Sequence, residues 1–365
     1  GGFTSWVEPL GKHTLLLAGG ISLADLEGSS GGVLRYRNQT LRPVLDFTAL
    51  YSPAGGSVYG DSLFEERYAE VTLDAFWNVD AWSTTYRAAG IGMEVGVRYN
   101  KLVEPDTPRP FCIGSKPGDC PPRPPDAPPG TFFDPRLPGP VGSGTQVEAR
   151  LGVQTRFLLP YAFNDVHPLH AAGSLLRLTA RKSVRGTDSG YLDADARAYT
   201  LLPAWGDHRL YVYGRAQAQI GDAYAQDAAG LSRYPISSFV VPEFGTLELS
   251  DQEYVRGYRT FATGDHMLFA TAEYRMLIAP SLQTTLFGVL SLGATSLALF
   301  SDAGVVWGTP QGRAHQWSAG AEFKNAIRVG SFSFVHALGI GQPVDVLFGP
   351  DDATLYYRIG GALPF

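Results

Sequence analysis

Alternation of apolar with polar residues along most of its length predicts that this chain folds as an all-β, transmembrane antiparallel β-barrel. Three observations carry the expectation. The alternating stretches run to about 10 residues or more, the length a tilted strand needs to cross a bilayer and well beyond the usual soluble strand of about 5 to 6. The connections between them alternate between tight turns and long loops, as the two ends of a membrane barrel do. The chain is 44% hydrophobic with a mean hydropathy of -0.05, and no apolar run approaches the roughly 18 to 20 residues of a spanning helix. A strand that gives half its side chains to lipid and half to a polar lumen averages to just such a value. The net charge of -6 and the lack of a long basic run leave no nucleic-acid partner to expect.

The period of two can be followed strand by strand. Fourteen strands are expected, over 12–22, 31–38, 42–51, 67–78, 84–100, 144–158, 169–183, 190–201, 207–220, 266–278, 294–307, 314–325, 331–342 and 353–365, with 3–7 as the remnant of another. In the strand 67–78, Val71, Leu73, Ala75 and Trp77 oppose Glu70, Thr72, Asp74 and Asn78. In 144–158, Val147, Ala149, Leu151, Val153 and Phe157 oppose Gln146, Glu148, Arg150, Gln154 and Arg156. In 190–201, Leu192, Ala194, Ala196 and Ala198 oppose Asp193, Asp195 and Arg197, and 207–220 sets Leu210, Val212, Ala216 and Ala218 against Arg209, Tyr211, Arg215, Gln217 and Gln219. The tight connections 39–41, 79–83 and 202–206 fall on one side and the long ones, 52–66, 101–143 and 221–265, on the other. The whole chain, 1–365, reads as one barrel domain.

The last strand counts back from Phe365 through Leu363, Gly361, Ile359 and Tyr357 to Leu355. A terminal aromatic on such a strand resembles the signal that bacterial outer-membrane barrels present to their assembly machinery. The start, Gly1-Gly-Phe-Thr, has neither the charged residue nor the apolar core of a signal peptide, so the chain is expected to be mature or a piece of something longer. Half of the 26 prolines lie between Pro105 and Pro140, which makes 101–143 an irregular external loop. Within it Cys112 and Cys120 are spaced for a local disulfide in an oxidising compartment. Two thiols without a neighbouring histidine fall short of a metal set, and neither a metal nor a cofactor is expected.

The longest late loop, 221–265, carries Glu253-Tyr-Val-Arg-Gly-Tyr-Arg259, followed by a strand with Glu273 and then by Phe300-Ser-Asp-Ala-Gly304. Glu273 and Asp302 alternate with outward apolar residues, Leu268, Ala270, Ala272, Tyr274 and Met276 on one strand and Leu297, Leu299 and Ala303 on the next. Both acids therefore face inward, where a planar guanidinium meeting two carboxylates makes bidentate, charge-assisted bonds. Val-Arg-Gly alone is no signal, since Val184-Arg-Gly186 occurs too, followed by Thr187. In this order and context the set resembles the outer-membrane protein eighty-five superfamily (the bacterial surface antigen family), which includes Bam- and Tam-type assembly factors and two-partner secretion transporters. The resemblance covers about 251–365 by motif and the earlier strands by pattern. It implies a barrel of 16 strands, so 14–16 are expected, with a long extracellular loop folded into the lumen. It also implies a loop latch of Val255, Arg256, Gly257 and Tyr258 against Glu273 and Asp302. The polypeptide-transport repeats that usually precede such a barrel are absent from this chain.

The resemblance further implies an integral protein of the Gram-negative outer membrane that inserts or exports polypeptides through a lateral seam or the lumen. Its expected partners are outer-membrane lipid and lipopolysaccharide, polypeptide clients, and periplasmic or outer-membrane subunits. The C-terminal series Tyr357, Ile359, Gly361, Leu363 and Phe365 would serve as assembly signal and seam. The alternative is a passive pore, or an anchor barrel for another domain, since the inward series carries many charges of both signs. No enzyme is expected: the histidines, at 13, 167, 170, 208, 266, 315 and 336, are scattered and none pairs with a nucleophile.

Overall fold

The computed structural model describes residues 2–20, 31–59, 62–103, 142–159, 168–232, 238–241, 245–248, 252–259, 262–280, 284–286, 290–309, 312–329, 332–344 and 353–360. The strands are β1 (Gly2–Val7), β2 (His13–Gly20), β3 (Gly31–Asn38), β4 (Val44–Tyr59), β5 (Ser62–Asn78), β6 (Arg87–Val103), β7 (Gly144–Leu159), β8 (His170–Gly186), β9 (Gly190–Pro203) and β10 (Arg209–Asp222). A long loop follows, with one 3-10 turn (Ala225–Asp227) and the short strands β11 (Ala229–Ser232), β12 (Ser238–Val241), β13 (Gly245–Glu248), β14 (Glu253–Tyr254) and β15 (Ala262–Gly264). The chain then returns to long strands with β16 (His266–Ala279), β17 (Thr284–Leu286), β18 (Leu290–Thr309), β19 (Gly312–Val329), β20 (Phe332–Pro343) and β21 (Thr354–Gly360).

Eighteen of these strands share one sheet; β12, β13 and β17 are short additions to it, and the other fifteen form its wall. Every wall strand pairs antiparallel with the next in sequence, from β1–β2 through β10–β16 and β16–β18 to β20–β21. The wall exceeds the fourteen expected strands by one because 2–7 is a full partner of β2, matched residue for residue from Gly2↔Gly19 to Val7↔Thr14. A second difference lies at 52–66. Those residues, expected as a loop, extend the β4–β5 ladder past a bulge between Ser52 and Gly55 up to Tyr59↔Ser62. Sequence alternation lapses at Pro53-Ala-Gly-Gly56, but backbone pairing does not need it. With an odd number of alternating strands, β1 and β21 run in the same direction, and among the described residues they share no ladder.

One face of the wall is apolar, the other polar. On β6, Ile91, Met93, Val95, Val97 and Tyr99 are exposed on the outer face, while Glu94 and Arg98 are half-buried and Asn100 is buried on the inner face. On β9 the inner series Tyr191, Asp193, Asp195, Arg197, Tyr199 and Leu201 is buried throughout. The ladders between neighbouring strands suit a medium without water, where an unpaired amide or carbonyl costs several kcal/mol.

Of the long loop between β10 and β16, β12 pairs with β20 at Val240↔Ser333, while β11, β14 and β15 lie against the inner face of the wall. These three strands form a small sheet of their own. Leu231 and Val255 from the loop pack with Tyr199, Leu201, Tyr211, Tyr213, Met267, Phe269 and Val306 from β9, β10, β16 and β18. Within the polar lumen that the alternation predicts, this region is an apolar core between loop and wall. Gly304 on β18 makes room for it, since a Cβ there would lie 2.7 Å from Leu231 Cδ1 and 3.0 Å from Val255 Cγ2.

Candidate functional site: an arginine held by three acids

Val255, Arg256, Gly257 and Tyr258 form a single tight turn, closed by the Tyr258 amide donating to the Val255 carbonyl at 3.1 Å. Gly257 sits third in the turn with φ of +102°, the left-handed conformation that the third residue of such a turn requires and that side chains resist. Its lack of a Cβ has a second use. A Cβ there would lie 2.7 Å from the backbone of Gly341 on β20, so the turn rests directly on the wall, glycine against glycine.

The turn aims Arg256 at the inner faces of β16, β18 and β19. Asp302 accepts from the Arg256 backbone amide (3.0 Å), from Nε (2.7 Å) and from Nη2 (2.6 Å). Nη1 donates to Glu273 at 2.6 Å and to Glu322 at 3.1 Å, and Nη2 donates to Thr271 at 2.7 Å. The guanidinium lies 3.7 Å above the centre of the Phe300 ring, a cation–π contact that strengthens where water is excluded. Arg256, Glu273, Asp302 and Glu322 are all buried.

Burying a charge costs several kcal/mol unless partners replace its water, and here they do. Glu273 also accepts from Arg275 (2.7 Å) and Lys324 (2.6 Å), while Glu322 accepts from Arg358 (2.8 Å to Nη2) and from the Tyr356 hydroxyl (3.2 Å). Four cations on the loop, β16, β19 and β21 thus face three carboxylates on β16, β18 and β19. The flanking residues complete the seat. Tyr254 packs edge-on against Tyr356 at 5.8 Å, and the Tyr258 hydroxyl donates to the Trp317 carbonyl (3.2 Å) and accepts from its amide (3.1 Å).

All six residues of the expected latch therefore lie in or beside one cluster. Glu322, Lys324, Thr271 and Arg358 in the cluster, and Gly341 beneath the turn, are not among the residues that the sequence motif brings to Arg256. The inward parity of β19 carried a signal for Glu322. Its level along the wall is set by the register Glu322↔Ala298 and Glu322↔Gly339, which no single strand discloses. On β21, Tyr357 is exposed and Ile359 partly so, both on the outer face; Gly361, Leu363, Phe365, Cys112 and Cys120 lie outside the described residues. Five histidines lie against aromatic rings: His13 and His266 stack on Tyr36 and Trp307, His170 and His208 meet Phe157 and Tyr274 edge to face, and His336 is tilted against Tyr357. Carboxylates of Glu70, Glu94 and Glu148 approach within 4.8 Å of one another, but Arg150 meets Glu94 at 2.9 Å and Arg181 meets Glu148 at 2.6 Å.

No family model and no curated protein matches the chain. Solved structures do. The fold matches CdiB from Escherichia coli with a TM-score of 0.59 at 12% identity, over 98% of this chain and 58% of that one. It matches BamA from Haemophilus ducreyi, in a form lacking POTRA domains 1–3, with a TM-score of 0.54 at 13% identity, over 97% of this chain and 65% of that one. CdiB from Acinetobacter baumannii gives 0.52 at 11% identity, over 97% and 54%. The fold is shared with CdiB and BamA. The present chain spans less than two thirds of the length of each of these three proteins.

Proposed function

We propose that the chain is the barrel of an outer-membrane protein that inserts or exports polypeptides, through the seam between its edge strands or through its lumen. The observation that carries this reading is the Arg256 turn, seated by Glu273, Asp302 and Glu322 inside a barrel whose fold is shared with CdiB and BamA. A loop fixed inside the lumen obstructs a passive pore, whereas a machine that opens for a client needs a defined closed state. Its partners in this reading are unfolded polypeptides, periplasmic or outer-membrane subunits, and the lipid and lipopolysaccharide that meet the apolar outer face. The exposed row Ile91, Met93, Val95, Val97 and Tyr99 supports the lipid contact.

The test is reconstitution of the barrel into liposomes, with two unfolded substrates. An outer-membrane β-barrel client should fold into these liposomes faster than into empty ones, read from its heat-modifiable migration; a secreted polypeptide added outside should become protease-protected within. Arg256→Ala should alter either rate without unfolding the barrel. Rates equal to those of empty liposomes in both arms, together with a large steady conductance, would replace the proposal by a passive pore.

A further inference from the structure

The Arg256 turn is not the only place where the lumen loop is fastened. Its root, just after β10, is built into another stretch of the wall. Tyr224 is fully buried and its hydroxyl donates to the Thr187 carbonyl at 2.5 Å. Gln226 donates to the Gly142 carbonyl at 2.6 Å and accepts from the Gly142 amide at 3.1 Å. Asp227 meets Arg98 on β6 and Arg181 on β8, each at 3.0 Å. Its backbone carbonyl accepts from Gln219 at 2.7 Å. A middle point is held too, where Glu253 accepts from the Tyr213 hydroxyl at 2.7 Å and from Arg215 at 3.3 Å.

These attachments lie on separate stretches of the wall. Asp227 is held from β6 and β8, and Arg256 from β16, β18 and β19, so that β9 and β10 lie between the two sets in the wall. We infer that the loop is a two-ended brace: a clasp at Asp227 and a second at Arg256 tie separate stretches of the wall together, and the lumen opens only when both are released.

The residues at the first clasp are chemically suited to this. Asp227 is the acceptor for two arginines that also have other carboxylate neighbours, as Arg181 does in Glu148 at 2.6 Å. Losing Asp227 therefore frees the loop without leaving Arg181 alone. The inference stands whether or not polypeptides are clients, because its test involves none. Asp227→Asn, Arg256→Ala and the double variant are compared by planar-bilayer conductance, with heat-modifiable migration as the check on folding. Each single variant should stay close to the parent, and the double variant should raise open events more than about tenfold above the product of the two single effects, the coupling expected of groups acting on one unit. Arg256→Ala opening the lumen as far as the double variant would overturn the brace, and so would a folded double variant that stays closed. Should the double variant fail to fold, a nitroxide label at position 232, between the clasps, decides. A label immobile in both single variants upholds the inference, and one mobile in Arg256→Ala alone rejects it.

Discussion

At the scale of single residues, what stands out is how much of the site depends on side chains that are missing. Gly257 and Gly341 touch backbone to backbone, and only that approach lets Arg256 reach three acids at once. Gly257→Ala should therefore cost about 1–3 kcal/mol in backbone strain, with the collision against Gly341 in addition. The checkable result is a lower temperature for loss of the folded band on unboiled gels. Behaviour identical to the parent would mean that the turn does not sit on the wall. Arg256, Glu273 and Asp302 were legible in the sequence because inward parity and motif order agree on them. Glu322, Arg358 and Gly341 were not. Their alignment with Arg256 depends on the register of three neighbouring strands, and on a glycine that looks like any other among the 43 in the chain.

At the scale of the element, period-two patterning identified strand faces well and strand ends poorly. Outer and inner series on β6, β7, β9, β10 and β16 fall as alternation requires, since each side chain has only two directions to take. Ends are different: β4 and β5 continue through a glycine-rich stretch because hydrogen bonding to a neighbour, rather than side-chain character, keeps a ladder going. The apolar core around Leu231, Val255 and Tyr213 was also hidden, because a loop that enters the lumen converts polar-facing positions into packed ones. The outer face gives a direct prediction. Val95→Arg, on the exposed side of β6, should destabilise folding into vesicles by up to about 2–4 kcal/mol near the bilayer midplane. A urea titration in phosphatidylcholine vesicles reads this, and an unchanged midpoint would place β6 away from lipid.

At the scale of the whole molecule, the wall and the loop form one object. Ion pairs run along the inner face as well as across it: Asp195 alone meets Arg177, Arg197 and Arg215, so the charged lumen is cross-linked. The edges are the exception. Because β1 and β21 run in the same direction, cysteine pairs chosen with a constant sum of residue numbers, one on β1 and one on β21, should give no ladder of disulfides. The same scan between β20 and β21 should cross-link Leu338→Cys to Tyr357→Cys, which are register partners. Efficient cross-linking along a constant-sum series between β1 and β21 would contradict the strand directions. A matter of arithmetic follows from those directions. Completing the circle with antiparallel contacts alone takes an odd number of additional strands, whatever supplies them. One strand would bond to both edges at once, whereas a hairpin, which brings two, would carry the mismatch to a new place without curing it.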